Sequence, residues 1–216
     1  QENEIDIGRL ALVLSKDVFY PDLDIERYDR LLYMMAYDIR MKMKSIGKDD
    51  PDTRIRVMNT YFIKVLGFQY DREEIKTLPY SNKANRTVNG LMDTRKGSCW
   101  TMPLLYLAVA QRLKYPIYPV SAPQHIFLRY VDPDLKMQNI EATAGGFSSD
   151  EEYIYVMQIP EAGIKSGAYM RTLTYREFLG EMLAENGRYL AINGEVKRGI
   201  RYLEIAAGLQ PTGAEI

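Results

Sequence analysis

The stretch Lys96-Gly97-Ser98-Cys99-Trp100-Thr101-Met102-Pro103 runs straight into Leu104-Leu105-Tyr106-Leu107-Ala108-Val109-Ala110. It holds the only cysteine and the only tryptophan among 216 residues, where a polar, glycine-containing turn becomes an apolar segment. The pattern predicts a helix from about Cys99 to Leu113, the most apolar and most buried of the chain. Pro103 fits because it falls in the first turn, where no intrahelical donor is needed. A thiol attacks as its thiolate, and a free cysteine has a pKa near ~8.5. A helix N-terminus favours the anion through its unpaired N–H groups, and Arg95 and Lys96 add positive charge. Gly97 permits a sharp entry that leaves Cys99 exposed. Taken alone, however, a lone cysteine is more often a buried, inert small hydrophobe.

Downstream of this helix the period changes to that of strands, over Pro116–Val120, His125–Val131 and Met137–Thr143. Asp132-Pro133-Asp134 supplies turn chemistry between the last two. The only histidine, His125, follows the turn-like Ala122-Pro123-Gln124 and opens a strand. If the hairpin pairs Val131 with Met137, Phe127 lies opposite Glu141, and His125 and Glu141 become diagonal neighbours on one face. A carboxylate there would hold one imidazole nitrogen and leave the other for a thiol. A slip of one residue would put Glu141 on the wrong face. Asp132 and Asp134 are rival carboxylates better explained as turn formers.

Upstream, residues 5–16 suit a short amphipathic helix. A second starts with Asp22 or Asp24 as cap and runs to Gly47, and a third spans roughly Asp52–Leu66, with Gly67 as its terminator. Residues 67–98 lose periodicity and read as a long polar loop, a setting that is often functional. Asn85-Arg86-Thr87 within it fits a glycosylation sequon, a weak signal alone. Beyond Ala144-Gly145-Gly146, residues 149–158 suit either a strand or a short helix, and about 174–208 is helical again. In this last part Gly187, Leu190, Gly199, Leu203, Ala206 and Pro211 fall at positions of a tetratricopeptide helix pair. One such unit cannot bury its own face, so it must dock on the domain, a partner or further repeats. The predicted class is α+β: a helical N-terminal part, a central helix carrying the cysteine on an antiparallel sheet, and a C-terminal helix pair.

Composition narrows the functions. Lys plus Arg (28) against Asp plus Glu (29) leaves no basic footprint for nucleic acid. The longest apolar run is too short to span a bilayer. One cysteine and one histidine allow neither an intrachain disulfide nor a dedicated zinc site, and no glycine-rich phosphate loop follows a strand. No cofactor and no metal are expected. A chain starting at Gln1 reads as trimmed, or as exported after loss of a leader, and its compartment is open.

Gly97-Ser98-Cys99-Trp100 before an apolar helix, Pro123-Gln124-His125-Ile126-Phe127 on a strand, and Asn139-Ile140-Glu141 before Gly145-Gly146 resemble the transglutaminase-like superfamily. The likeness is to its bacterial proteins with tetratricopeptide-type helices after the core, and these group with papain-like thiol enzymes. It covers roughly residues 5–210 and implies a transglutaminase-like domain over 1–172 and a helical extension over 173–216. It implies Cys99 as nucleophile, His125 as general base and Glu141 as orienting carboxylate, where most of the superfamily carries Asp. Asn85 matches an asparagine preceding the Gly-x-Cys turn and becomes an oxyanion candidate, with Ser81, Asn82 and Asn89 as competitors and the Cys99 N–H as the other donor. Two readings follow. One is a peptidase, amidase or acyl transferase on a peptide or protein substrate. The alternative is an inactive binding or scaffold protein whose C-terminal helices contact a partner.

Overall fold

The computed structural model describes residues 5–73, 82–132 and 138–210. Helix α5 (Thr101–Leu113) lies at its centre, and every residue from Thr101 to Ala110 is buried. A helix apolar all round needs partners on all sides. They are α1 (Ile7–Val18), α2 (Ile25–Ile46), α4 (Val88–Thr94) and the strands β3 (Ile117–Ala122) and β4 (His125–Tyr130). Asp24, not Asp22, caps α2, its Oδ1 accepting from Arg27 N at 3.0 Å. Helix α3 (Pro51–Thr60) continues as a π-helical turn, Tyr61–Val65.

The 67–98 segment carries more structure than its composition suggests. Strand β1 (Gln69–Tyr70) pairs in parallel with β2 (Lys96–Gly97), and between them lie a 3₁₀ turn at Lys83–Arg86 and helix α4. These elements are too short for a hydrophobic period to register. Thr87 caps α4 by accepting from Gly90 N at 3.3 Å.

Strands β3, β4, β5 (Gln138–Glu141) and β6 (Gly146–Ser148) form one antiparallel sheet in chain order. The β4–β5 register pairs Leu128 with Ile140 and Arg129 with Asn139, and one further step sets Phe127 across from Glu141, the expected register. Strand β6 adds a fourth strand to the three that the sequence pattern predicts, and Met137 lies outside the described residues. Ile126, Leu128, Tyr130 and Ile140 join the main core with α5. Val120, Ala122 and Phe127 face the other way, into a smaller cluster with Tyr153, Ile159 and Met170.

That second face is covered by α6 (Asp150–Val156), which settles the ambiguous 149–158 segment as a helix. Ser149 caps it, and helical spacing turns Tyr153 inward while Tyr155 is left exposed. Arg129 on β4 bridges the layers from a side chain only 4% exposed, reaching Asp150 Oδ1 at 2.6 Å, Asn139 Oδ1 at 2.9 Å and the Met170 carbonyl at 3.1 Å. A buried guanidinium stripped of such partners would cost about 3–5 kcal/mol.

A short α7 (Glu161–Lys165) leads to α8 (Tyr175–Ile192) and α9 (Val196–Leu209), which pack along each other. Of the three docking options, the pair takes the domain: Phe178, Met182 and Ala184 of α8 enter the main core. Thr174 and Glu177 form a capping box at its start. Among the described residues no helix is long and apolar enough to cross a membrane.

The tight seat of α4 on the 3₁₀ turn is testable. A Cβ on Gly90 would lie 2.3 Å from the Ala84 carbonyl oxygen and 2.6 Å from its Cα, both backbone atoms. Helix propensity alone favours Gly90→Ala by up to about 1 kcal/mol, whereas the clash reverses the sign. Gly90→Ala is expected to lose about 1–3 kcal/mol in denaturant unfolding. A gain in stability would refute this packing.

Candidate active site

The turn ahead of α5 is built by Ser98. Its Oγ accepts from Trp100 N at 3.1 Å and Thr101 N at 3.2 Å and donates to the Asn85 carbonyl at 2.8 Å. Its own N–H donates to Thr101 Oγ1 at 2.9 Å. The helix therefore starts at Thr101, and Cys99 lies in the capped turn before it, partly exposed. Gly97 matters here sterically: a Cβ would sit 2.7 Å from Met102 Cγ. Trp100 packs against Phe178 of α8 with ring centroids 5.6 Å apart, so α8 braces the cysteine turn.

The β3–β4 connection brings the histidine to the thiol. Ala122 pairs with His125, leaving a two-residue turn with Pro123 first and Gln124 second at φ 55°. A positive φ on a non-glycine residue is uncommon and often sits beside functional groups. The Cys99 thiol faces the Gln124 carbonyl, with Sγ to O at 3.8 Å. His125 Nε2–H donates to Glu141 Oε2 at 2.8 Å, and both side chains are largely buried. Cys99 also acts on the imidazole's charge, while the thiol's own hydrogen bond goes to the carbonyl of Gln124, the residue before His125.

These contacts set the charges. Burial pulls the His125 pKa down, but hydrogen bonds to Cys99 and Glu141 and the charge of Glu141 outweigh it and raise it to about 9. For Glu141 burial pushes upward, and the hydrogen bond and charge of His125, with Thr143, win and lower it to about 2. At neutral pH the pair is an imidazolium beside a carboxylate.

Two site residues carried no signal in the sequence, and the role of a third was hidden in a motif. Thr143 donates to Glu141 Oε1 from its N–H at 3.1 Å and its hydroxyl at 2.5 Å. Tyr153 OH donates to Glu141 Oε2 at 2.9 Å. Gln124 stands in the turn and in the Pro123-Gln124-His125 motif, but neither marks its carbonyl as the thiol's neighbour. The alternation of burial along 149–158 at helical period is the one cue to Tyr153, and it needs the helix to be known first.

Asn85 is 1% exposed, and its backbone carbonyl accepts from Ser98 Oγ of the cysteine turn. Its Nδ2 donates to Asp71 Oδ2 at 2.9 Å, and Asp71 N donates to the Gly97 carbonyl at 2.8 Å. Its burial also leaves no room for a glycan at the Asn85 sequon. Asn82 caps the 3₁₀ turn and Asn89 accepts from Ser15, so both are engaged elsewhere; Ser81 and Asp134 lie outside the described residues. Asp132 follows the far end of β4, away from His125. The Cys99 backbone N–H has no acceptor among the described residues. No group of three metal-ligating side chains occurs among them either.

The pH dependence of stability has a defined sign. The raised His125 contributes stability that is complete below its ordinary pKa of 6.5 and fades as pH rises through about 9. The lowered Glu141 contributes stability present above 4.5 and lost as pH falls toward about 2. The melting-temperature gap between wild type and Glu141→Gln should be widest between these two ordinary values, near pH 5–6, and narrow on both sides. A gap constant from pH 4 to pH 9 would contradict the pairing.

The comparisons with known proteins agree with this architecture. Curated proteins named UPF0162 from two Xylella fastidiosa strains are each 28% identical over 119 residues, 55% of this chain and 40% of theirs. A UPF0162 protein of Pasteurella multocida is 27% identical over 116 residues, 51% of this chain and 41% of its own. The matched part thus spans about two fifths of those relatives. No solved structure matches the chain significantly. The family model of the transglutaminase-like superfamily matches residues 26–184, a span holding Cys99, His125 and Glu141. The chain belongs to the transglutaminase-like superfamily.

Proposed function

We propose that this chain is a thiol-dependent acyl-transfer enzyme, acting as peptidase, amidase or acyl transferase on a peptide or protein substrate. One observation carries the reading: the thiol of the only cysteine reaches the carbonyl of Gln124, directly before the only histidine, and Glu141 holds Nε2 of that ring. Chemistry of this kind needs a nucleophile, a base in contact with it, and a third group orienting the base.

In this mechanism the reactive form is a thiolate–imidazolium pair, the Cys99 proton already residing on the His125 ring. The thiolate then attacks the substrate carbonyl, and the C=O π electrons move onto oxygen. The Cys99 N–H, at the capped helix start, is the donor to that oxyanion. Asn85 serves it indirectly by holding Ser98. Collapse of the tetrahedral adduct expels the amine, which takes the proton from His125 and leaves a thioester. Water then yields an acid, or a second amine yields a new amide, and the thiol is restored. Glu141 stays ionised throughout and stabilises the imidazolium.

The helix pair supports a second role in partner contact. Ile192, Val196, Ile200 and Ile205 are each about half exposed or more. A Cβ on Gly199 would lie 2.7 Å from the Gly187 carbonyl oxygen, the close helix approach expected of a tetratricopeptide-like pair.

Iodoacetamide alkylation of the sole cysteine tests the catalytic reading. At pH 7 the wild type should react about tenfold faster or more than His125→Ala. Its rate should also change as pH crosses about 9, where His125 titrates, and the variant should lack that limb. Equal rates and equal profiles would sink the proposal and favour the retired-enzyme alternative.

A further inference from the structure

Glu141 is a longer carboxylate than the Asp of most of the superfamily, and a longer side chain has an extra rotatable bond to fix. Four hydrogen bonds fix it here. Thr143 takes Oε1 twice, while Oε2 is shared by His125 Nε2 at 2.8 Å and Tyr153 OH at 2.9 Å. Without the tyrosine, Oε2 would be steered only by the imidazole it is meant to steer.

Tyr153 is well placed for this. It is 5% exposed, and its ring stacks on Phe127, the strand residue between His125 and the Arg129 bridge, at 3.9 Å between centroids and 11° between planes. The same ring lies 6.0 Å from that of His125. Helix α6 cannot drift, because Arg129 holds Asp150 in its first turn. The chain of contacts runs from Arg129 to Asp150 at the start of α6, and from Tyr153 of the same helix to Glu141 and His125. The group that orients the base is itself oriented by a helix outside the cysteine–histidine motifs.

Resting on the thiol-enzyme reading above, we propose that Tyr153 is a positioning residue of this site: its hydroxyl fixes the Glu141 carboxylate so that Oε2 meets His125 Nε2 and Nδ1 is turned to Cys99. It touches neither substrate nor thiol and works only through Glu141. Ionisation of the phenol has no part in this, since burial first, then the charge of Glu141, push its pKa far up.

A double-mutant cycle on the full chain separates this role from simple packing. Tyr153→Phe keeps the stacked ring and removes only the hydroxyl. Alkylation of Cys99 by iodoacetamide at pH 7 should slow about fivefold to tenfold in Tyr153→Phe, yet by less than about twofold when Glu141 is already Ala. With a single histidine in the chain, the Nε2–H proton signal is unambiguous, and it should lose its protection from solvent exchange in Tyr153→Phe. Tyr153→Leu, should the Phe variant fold poorly, is expected to give the same dependence on Glu141. Equal slowing with and without Glu141, or an unchanged rate and Nε2–H signal, would overturn the role of Tyr153. His125→Ala keeps the two proposals apart. If it leaves alkylation untouched, the thiol-enzyme reading falls and this inference with it; if it slows alkylation while Tyr153→Phe does not, the role of Tyr153 alone falls.

Discussion

Helix α5 is apolar around its whole circumference, and that single constraint arranges the molecule. Leu107, Ala108, Val109 and Ala110 are fully shielded, so helices must cover one side and a sheet the other. Burying that much apolar surface is the main stabilising contribution available to a chain of this size. It also fixes where reactivity can reside. A residue inside the helix is lost to solvent, whereas the turn before it reaches the surface and presents the Cys99 N–H, which has no acceptor among the described residues. Cys99 occupies that turn, and Ser98 and Trp100 hold it from either side.

The sheet performs a second division of labour. Its even-numbered β4 residues complete the core with α5, while the odd-numbered His125, Phe127 and Arg129 face α6 together with Asn139 and Glu141. Charge is tolerated on that buried face because each group is paired. Arg129 is satisfied by Asp150, Asn139 and a main-chain carbonyl, and His125 by Glu141. One bridge ties the layers together, and the other is the one to which the proposed function gives a catalytic role.

Family membership and site geometry speak to different levels. The family match extends from α2 into α8, so the helices around the cysteine turn belong to the same unit as the sheet. That agrees with α8 contributing Phe178 and Met182 to the core and bracing Trp100. At position 141 the carboxylate has both of its oxygens engaged. A longer carboxylate is accompanied by Thr143 two residues on and Tyr153 one helix on, each taking up one of its oxygens.

The sequence by itself determined the frame. Hydrophobic period marked α2, α5 and the strands, because long segments with one buried face leave that pattern in the residues. The uniqueness of Cys99 and His125, and the alternation placing Glu141 on the face of His125 once the hairpin register was chosen, made most of the candidate site legible. Tertiary structure decided the rest. It showed α4, β1 and β2 inside a segment too short-ranged in pattern to reveal them, moved the start of α5 from Cys99 to Thr101, and tied the Asn85 carbonyl to the turn through Ser98. It alone brought Tyr153 to Glu141, a contact between a helix and a strand that neither periodicity nor motif encodes, because it depends on how two layers pack and not on any local preference.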